Sequence, residues 1–455
     1  MNAVWSNLVR NLDAFRAARA GNVAITFAVA ALPIVGFVGF AVDFSHANSV
    51  KAAMQAALDS TALMLSKDAA TLSTTDLQTK AKSYFDALFT RPEAKSVTIS
   101  ATYSTTGGSQ LVVNGSAVVP TDFLGIIGYQ NINVNGTATA AWGSTRLRVA
   151  LALDNTGSMA SAGKMTALKS ATKGLLTQLQ NAASANGDVY VSIIPFSKDV
   201  NVGTGYSSAN WIDWTEWDDN NGSCSKDTKK KEYATKSKCT SAGGTWTVDS
   251  RSTWNGCVTD RGDVGAPASA NYDQNVTAPS TSIAASRFPA EQYDSCPAAM
   301  LGLSYNWTAM NSLVDKMSSA GNTNQPIGLV WAWQSLVGGG PLTAPAKDSN
   351  YQYQDVIILM SDGLNTENRW SGSQTQVDKR MYDSSKSGNG TCANIKATGV
   401  TIYTIHVNTS GDPTSTLLQN CASSSDKFFI VTDANGLGNV FSSIGTNLTK
   451  LRVAK

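Results

Sequence analysis

The chain has 455 residues, enough for two or three domains with cores of their own. Its 35 basic and 33 acidic residues nearly cancel, and no basic stripe interleaved with aromatics occurs, which argues against nucleic acid as a partner. Only 15% of the residues are charged, while Ser, Thr, Asn, Gly and Ala abound, a balance more usual in exported bacterial proteins than in cytosolic enzymes.

The first element is apolar. Residues 23–42 read VAITFAVAALPIVGFVGFAV, uncharged, about the twenty residues a helix needs to cross hydrocarbon. Arg10, Arg16 and Arg19 precede it and Asp43 follows, so the positive-inside rule places segment 1–22 in the cytoplasm and the bulk of the chain on the periplasmic side or at the surface. The stretch exceeds the usual core of a secretory signal and no A-x-A site follows it, so a retained single-span anchor in the inner membrane is expected. From Phe44 to about Ala70 helical spacing continues, and Thr75 to Phe89 gives a second helix. Three segments of period two follow, Val97–Tyr103, Leu111–Val119 and Ile132–Ala140, which predict a small sheet. Region 43–144 thus has the plan of a pilin-like α+β subunit.

The segment RAGNVAITFAVAALPIVGFVGFAVDF and the Ala-rich helix with QAALDSTAL after it resemble the amino-terminal region of Tad (Flp) pilus-assembly proteins of the TadE/TadG type. In pilin-like proteins a peptidase cuts after a Gly, and a Glu five residues into the mature chain helps assembly. Here Gly21 takes the place of the cut site and the fifth position is Thr26, a departure that favours an uncleaved anchor.

Beyond residue 145 strands alternate with helices. Arg146–Leu153 is a β-rich run that delivers the chain into Asp154-Asn-Thr-Gly-Ser-Met159, and a helix is expected from about Lys164 to Gln180. The turn presents one carboxylate and two hydroxyls at i, i+2 and i+4, where open α/β sheets place their sites. Gly321-Asn-Thr-Asn-Gln-Pro326 opens another helix, and the apolar strand Asp355–Met360 ends in Ser361-Asp362-Gly363. Further units are Asp188–Pro195, Val400–Val407, Lys427–Val431 and a last helix from about Gly438 to Leu451, which together predict an α/β domain with a doubly wound, Rossmann-like sheet over 145–455. Asp154, Thr156, Ser158, Thr323 and Asp362 resemble the metal-ion-dependent adhesion site of von Willebrand factor A domains, a D-x-S-x-S motif joined by a Thr and an Asp from later loops. The resemblance implies Mg²⁺, or Mn²⁺ or Ca²⁺, which suit all-oxygen ligand sets, and an open coordination position for an acidic residue of a protein partner. Taken alone, D-x-T-x-S also reads as a helix N-cap with capping hydroxyls.

Between about 199 and 305 the alternation breaks into a polar stretch holding Cys224, Cys239, Cys257 and Cys296 and five tryptophans, Trp211, Trp214, Trp217, Trp246 and Trp254. Its length predicts an insertion, either a disulfide-stapled subdomain or a lid. The tryptophans are expected to pack its core, with an aromatic and acidic contact surface at Trp211–Asp219 as the other reading. Cys392 and Cys421 complete the set of six. None forms a C-x-x-C pair, and His46 and His406 are the only histidines, so disulfides in an oxidising compartment are the expectation rather than zinc. Six cysteines allow about fifteen connectivities. Nearest-neighbour pairing joins Cys224–Cys239, Cys257–Cys296 and Cys392–Cys421. An A domain interrupted by a Cys-containing insertion with elements such as Gly256-Cys-Val258 and Cys296-Pro297 is also a feature of the TadG-type proteins this chain resembles.

The expected function is that of a pilus-assembly or adhesion anchor whose A domain grips a protein partner, not of an enzyme. The alternatives are a metal-free scaffold of the pilus machinery and a hydrolase. For the hydrolase there is no G-x-S-x-G elbow, no Ser/His/Asp set and no phosphate loop with Lys. Arg261-Gly-Asp263 recurs easily by chance, and the Asn306, Asn389 and Asn408 sequons would matter only in a eukaryotic secretory route, against which the pilus-type anchor argues. His406, within an apolar run, is expected to be structural.

Overall fold

The computed structural model describes residues 20–105, 108–142, 145–227, 232–262, 277–337, 341–386 and 388–453. The basic residues Arg10, Arg16 and Arg19 and the last residue of Arg261-Gly-Asp263 lie outside the described set. The chain divides into two compact units, Met1–Trp142 and Gly143–Lys455.

In the first unit the helix α1 (Ala20–Leu65) runs 46 residues, roughly 70 Å at 1.5 Å per residue. Its two halves differ. The first exposes Phe27, Val29, Ile34, Val35, Phe37 and Val38 and contains Pro33, which a helix in a membrane tolerates. The second buries Ala47, Val50, Met54, Ala57, Leu58 and Leu65, the i, i+3, i+4 stripe of an amphipathic helix. That stripe lies on an antiparallel sheet of β1 (Lys95–Ser104), β2 (Ser109–Pro120) and β3 (Asn131–Trp142), ordered β1-β2-β3. Gly115 and Gly136 face each other across β2 and β3. A Cβ on Gly136 would sit 2.7 Å from the Leu58 Cδ1, so the missing side chain is what lets α1 approach. The helix α2 (Thr74–Leu88) is capped by Ser73, whose hydroxyl accepts the Asp76 N–H at 3.1 Å, and buries Leu77, Ala81 and Phe85.

The second unit is built on a mixed α/β sheet. Its elements in chain order are β4 (Thr145–Asp154), α3 (Lys164–Ala182), β5 (Val189–Phe196), α4 (Trp307–Lys316), α5 (Gln325–Leu336), β6 (Gln352–Ser361), β7 (Thr401–Val407), β8 (Phe428–Val431) and α6 (Leu437–Val453). The five strands pair in parallel in the order β8-β7-β6-β4-β5. Alternate residues point to opposite faces. Ala150, Ala152, Ile194, Phe196, Ile357, Leu359 and Ile402 pack on one face with α5, which is buried along its whole length. Val149, Leu151, Leu153, Val191, Ile358, Met360 and Ile405 pack on the other with Leu168, Leu175 and Leu179 of α3, Val314 of α4, and Phe441 and Ile444 of α6. Apolar cover on both faces explains why these strands read as near-continuous apolar runs.

Several short strands within 199–305 extend this sheet, while Gly222–Cys224 and Trp246–Val248 pair in a separate two-stranded sheet. Val200–Asn201 pairs antiparallel with both β5 and Cys257–Val258, which pairs with Phe288–Glu291, and Ile212–Asp213 lies beside the last. Trp214 meets Trp217 and Trp254 edge to face at 5.4 and 5.2 Å between centroids, and all three belong to the core on the α5 face. The pattern broke because two-residue strands carry no readable period. Disulfides join Cys224–Cys239, Cys257–Cys296 and Cys392–Cys421. The Cys257 bridge ties the added strands to the segment that leads back into the sheet at Leu301–Ser304, and His406 is buried in β7, its Nδ1 facing the Ser415 N–H.

The Cys392–Cys421 bridge spans 29 residues, and closing such a loop lowers the entropy of the unfolded chain by the equivalent of roughly 3–4 kcal/mol. Cys392→Ala with Cys421→Ala should therefore lower the urea midpoint of the second unit substantially. Tryptophan fluorescence reads it, since nine of the eleven tryptophans lie beyond residue 143.

Candidate metal centre

The parallel register of β4 and β6, with Leu153 opposite Met360, brings Asp154 and Asp362 to the same end of the sheet. Asp154 is fully buried, and Thr156, Thr323 and Asp362 are nearly so, while Ser158 is exposed. The N–H and hydroxyl of Thr156 both donate to Asp154 Oδ1, at 2.8 and 2.6 Å. Ser361 donates its hydroxyl to the other oxygen, Oδ2, at 2.6 Å. On the far side Ser158 donates to Asp362 Oδ1 at 2.6 Å, and the Lys164 ammonium, at the first turn of α3, pairs with Asp362 Oδ2. Bonds of this length are those of hydroxyls to charged carboxylates.

The Thr156 and Ser158 hydroxyl oxygens lie 3.0 Å apart. That is hydrogen-bond distance, and either hydroxyl can donate to the other. Asp154, Thr156, Ser158 and Asp362 thus bring carboxylate and hydroxyl oxygens together, the ligand type that suits a small hard cation. Thr323 is placed differently. Its N–H donates to Thr366 Oγ1 at 2.8 Å, its carbonyl accepts the Thr366 N–H at 2.9 Å, and no hydrogen bond among the described residues joins its hydroxyl to the other four side chains. Its loop is nonetheless tied to the motif: Gly157 N–H donates to Gly321 O at 2.9 Å and Ala320 N–H to Asn155 O at 2.8 Å.

Several residues that shape the site carry no signal in the sequence. Lys164 reads as an ordinary helix-start lysine until the fold sets it on Asp362. Gln325 braces the end of β6 through Ser361 Oγ at 3.1 Å and the Gly363 carbonyl at 2.8 Å. The stretch 199–305 supports the Thr323 loop, with Tyr293 Oη accepting the Asn322 N–H at 3.1 Å and Asp260 accepting Asn324 Nδ2 at 2.8 Å. Gly321 takes a φ of +82°, and a Cβ there would meet the same Tyr293 hydroxyl at 2.3 Å, so only glycine fits. Among the described residues no three His, Cys, Asp or Glu side chains form a metal cluster; the set here is two carboxylates and hydroxyls.

Burial, and then the charge of Asp362, push the Asp154 carboxyl up to about 6 from its ordinary 3.8. Hydroxyl and backbone donors pull the other way without prevailing.

Residues 21–65 match the family model described as Putative Flp pilus-assembly TadE/G-like. No curated protein matches the chain. Solved structures similar to it include the pilus adhesin SpaC from Lactobacillus rhamnosus GG, 14% identical with a TM-score of 0.34, the match covering 80% of this chain and 35% of that one. The vWF domain of the type V pili tip protein Mfa5 from Porphyromonas gingivalis is 10% identical with a TM-score of 0.34, over 68% of this chain and 96% of that one. Proximal thread matrix protein 1 from the mussel byssus, with a zinc-occupied MIDAS motif, is 13% identical with a TM-score of 0.33, over 68% of this chain and 46% of that one. The chain thus spans about a third of SpaC, and its reading rests on its own residues.

Between about pH 4 and 6 folded Asp154 holds a proton that the unfolded chain has released, so stability declines as pH rises through that window. In chelator, the melting temperature of the second unit should fall from pH 4 to pH 7, and Asp154→Asn should flatten that slope.

Proposed function

We propose that the chain is a membrane-anchored Tad pilus-assembly or adhesion protein whose second unit is a doubly wound von Willebrand factor A-type domain that binds a protein partner through a divalent cation. The observation that carries this reading is the facing pair of hydroxyl oxygens, Thr156 and Ser158, flanked by the Asp154 and Asp362 carboxylates. Asp154, Thr156, Ser158, Thr323 and Asp362 would hold the ion, Mg²⁺ or alternatively Mn²⁺ or Ca²⁺. The bound ion supplies a Lewis-acid position for an acidic side chain of the partner, a pilus component by the family of the amino-terminal segment. This chain's own residues orient that position: Ser361 and the Thr156 N–H hold Asp154, and Gln325 and Tyr293 hold the loops on either side. The apolar half of α1 supports a single-span anchor, and the positive-inside rule supports a cytoplasmic amino end in the inner membrane with the second unit outside. The set is made of carboxylate and hydroxyl oxygens, the ligand chemistry of a hard cation, which supports a binding role.

A second reading has a specific observation behind it. Lys164 is buried and pairs with Asp362, neutralising one carboxylate without any metal, as a metal-free scaffold requires.

Calorimetry separates the two. On the cation reading, Mg²⁺ binds the purified chain and Asp154→Ala with Asp362→Ala removes the heat, while Lys164→Met tightens binding because the ammonium no longer competes for Asp362. On the scaffold reading neither the native chain nor Lys164→Met binds, and Lys164→Met unfolds at lower temperature. Partner capture equal in magnesium and in chelator would likewise end the cation reading.

A further inference from the structure

Residues 121–130, between β2 and β3, read TDFLGIIGYQ. They expose Phe123, Ile126, Ile127 and Tyr129, with Ile126 at 83%, whereas turns facing water are built from small and polar residues. The loop runs back along α1. Phe123, Leu124, Ile126 and Ile127 line one cleft with Ala28, Ala31, Val35 and Gly36 of the exposed apolar half of that helix. A Cβ on Gly39 would come within 2.5 Å of the Phe123 Cβ, so a glycine there is what allows the close approach.

Asp43, at the end of the apolar stretch, fixes the loop. Its carboxylate accepts the N–H groups of Asp122 and Phe123 at 3.0 Å each and of Leu124 at 2.7 Å, the donors at the start of the short 3₁₀ turn Leu124–Ile127 that would otherwise lack partners. Four further donors of the loop are paired within it: Ile126 N–H to Phe123 O at 3.1 Å, Gly128 to Gly125 O at 3.2 Å, Tyr129 to Leu124 O at 3.0 Å and Thr121 to Gln130 O at 3.0 Å. The Thr121 hydroxyl donates to Tyr129 O at 2.5 Å. A water-facing turn has no need to satisfy its donors internally, because solvent does so. A segment among acyl chains must.

We infer that this loop is a second membrane contact, its tip from Phe123 to Tyr129 lying among the lipid acyl chains of the leaflet where α1 emerges and held at that depth by Asp43. The inference rests on the reading of α1 as a membrane anchor. At 1.5 Å per residue, Val35 and Ala31 lie roughly 12 and 18 Å along the helix axis from Asp43. A loop alongside them therefore reaches well into a hydrocarbon layer about 30 Å thick. The contact would make the small sheet of the first unit ride on the membrane surface at two points, which fixes its orientation where a single helix leaves it free to swivel.

The test uses the full chain in nanodiscs of phosphatidylglycerol and phosphatidylethanolamine, with the photoreactive residue benzoylphenylalanine placed singly at Ile126, at Phe37 of the apolar helix, which is 76% exposed, and at Val248 of the second unit, which is 42% exposed. The expected result is a lipid adduct by intact mass at Ile126 equal in yield to that at Phe37, with none at Val248, and loss of the Ile126 adduct alone on Asp43→Ala. A lipid adduct at Phe37 with none at Ile126, or an Ile126 adduct to protein, overturns the loop contact and leaves the anchor standing. No lipid adduct at Phe37 overturns the anchor, and the loop contact with it.

Discussion

Two carboxylates held close together away from water set the terms for the second unit. Asp154 and Asp362 leave adjacent parallel strands at the same end of the sheet, and in a low-dielectric setting their like charges repel strongly. The protein meets that repulsion in three ways at once. A proton is retained on Asp154 to about pH 6, the Lys164 ammonium sits against Asp362, and three hydroxyls aim their protons at the pair. Each is a partial remedy, and the proposed divalent cation would add a further one. Lys164 is thus a resident counter-charge for Asp362, the one a cation would have to compete with on the proposed reading.

That end of the sheet is also where the additional strands matter. The tryptophan-rich stretch adds area to the α5 face of the core and sends Tyr293 and Asp260 to brace the Thr323 loop. Its Cys257–Cys296 disulfide holds a strand of two residues that hydrogen bonding alone keeps poorly. The stretch thus serves the site by stiffening one of its walls, and its aromatic residues are largely consumed in packing: Trp217 and Trp254 are almost fully buried.

In the first unit a single carboxylate has a comparable role on different terms. Asp43 stands at the junction between the exposed and the buried halves of α1, and it accepts three donors of a loop that lines a cleft with the exposed half. A residue that marks the end of the apolar stretch in the sequence is, in the fold, the clamp for a segment about eighty positions further on.

By itself the sequence determined the element types and the chemistry of the candidate ligands. An uncharged run of twenty residues can be little other than a long apolar helix, continuous apolar strands between helices require a sheet covered on both faces, and a strand ending in D-x-T-x-S points its oxygens off the sheet's end. These follow from local periodicity and from residue type, which survive without knowledge of neighbours. Tertiary structure alone decided that four of the five oxygen-bearing side chains share one hydrogen-bonded chain while the Thr323 hydroxyl stands apart from it, that Lys164 reaches Asp362, that short strands within 199–305 join the main sheet, and that the loop after β2 returns to Asp43. Each of these is a contact between positions tens to hundreds of residues apart, fixed by strand register and by the packing of helices on the sheet, and no local pattern encodes which distant partner a lysine or a carboxylate will meet.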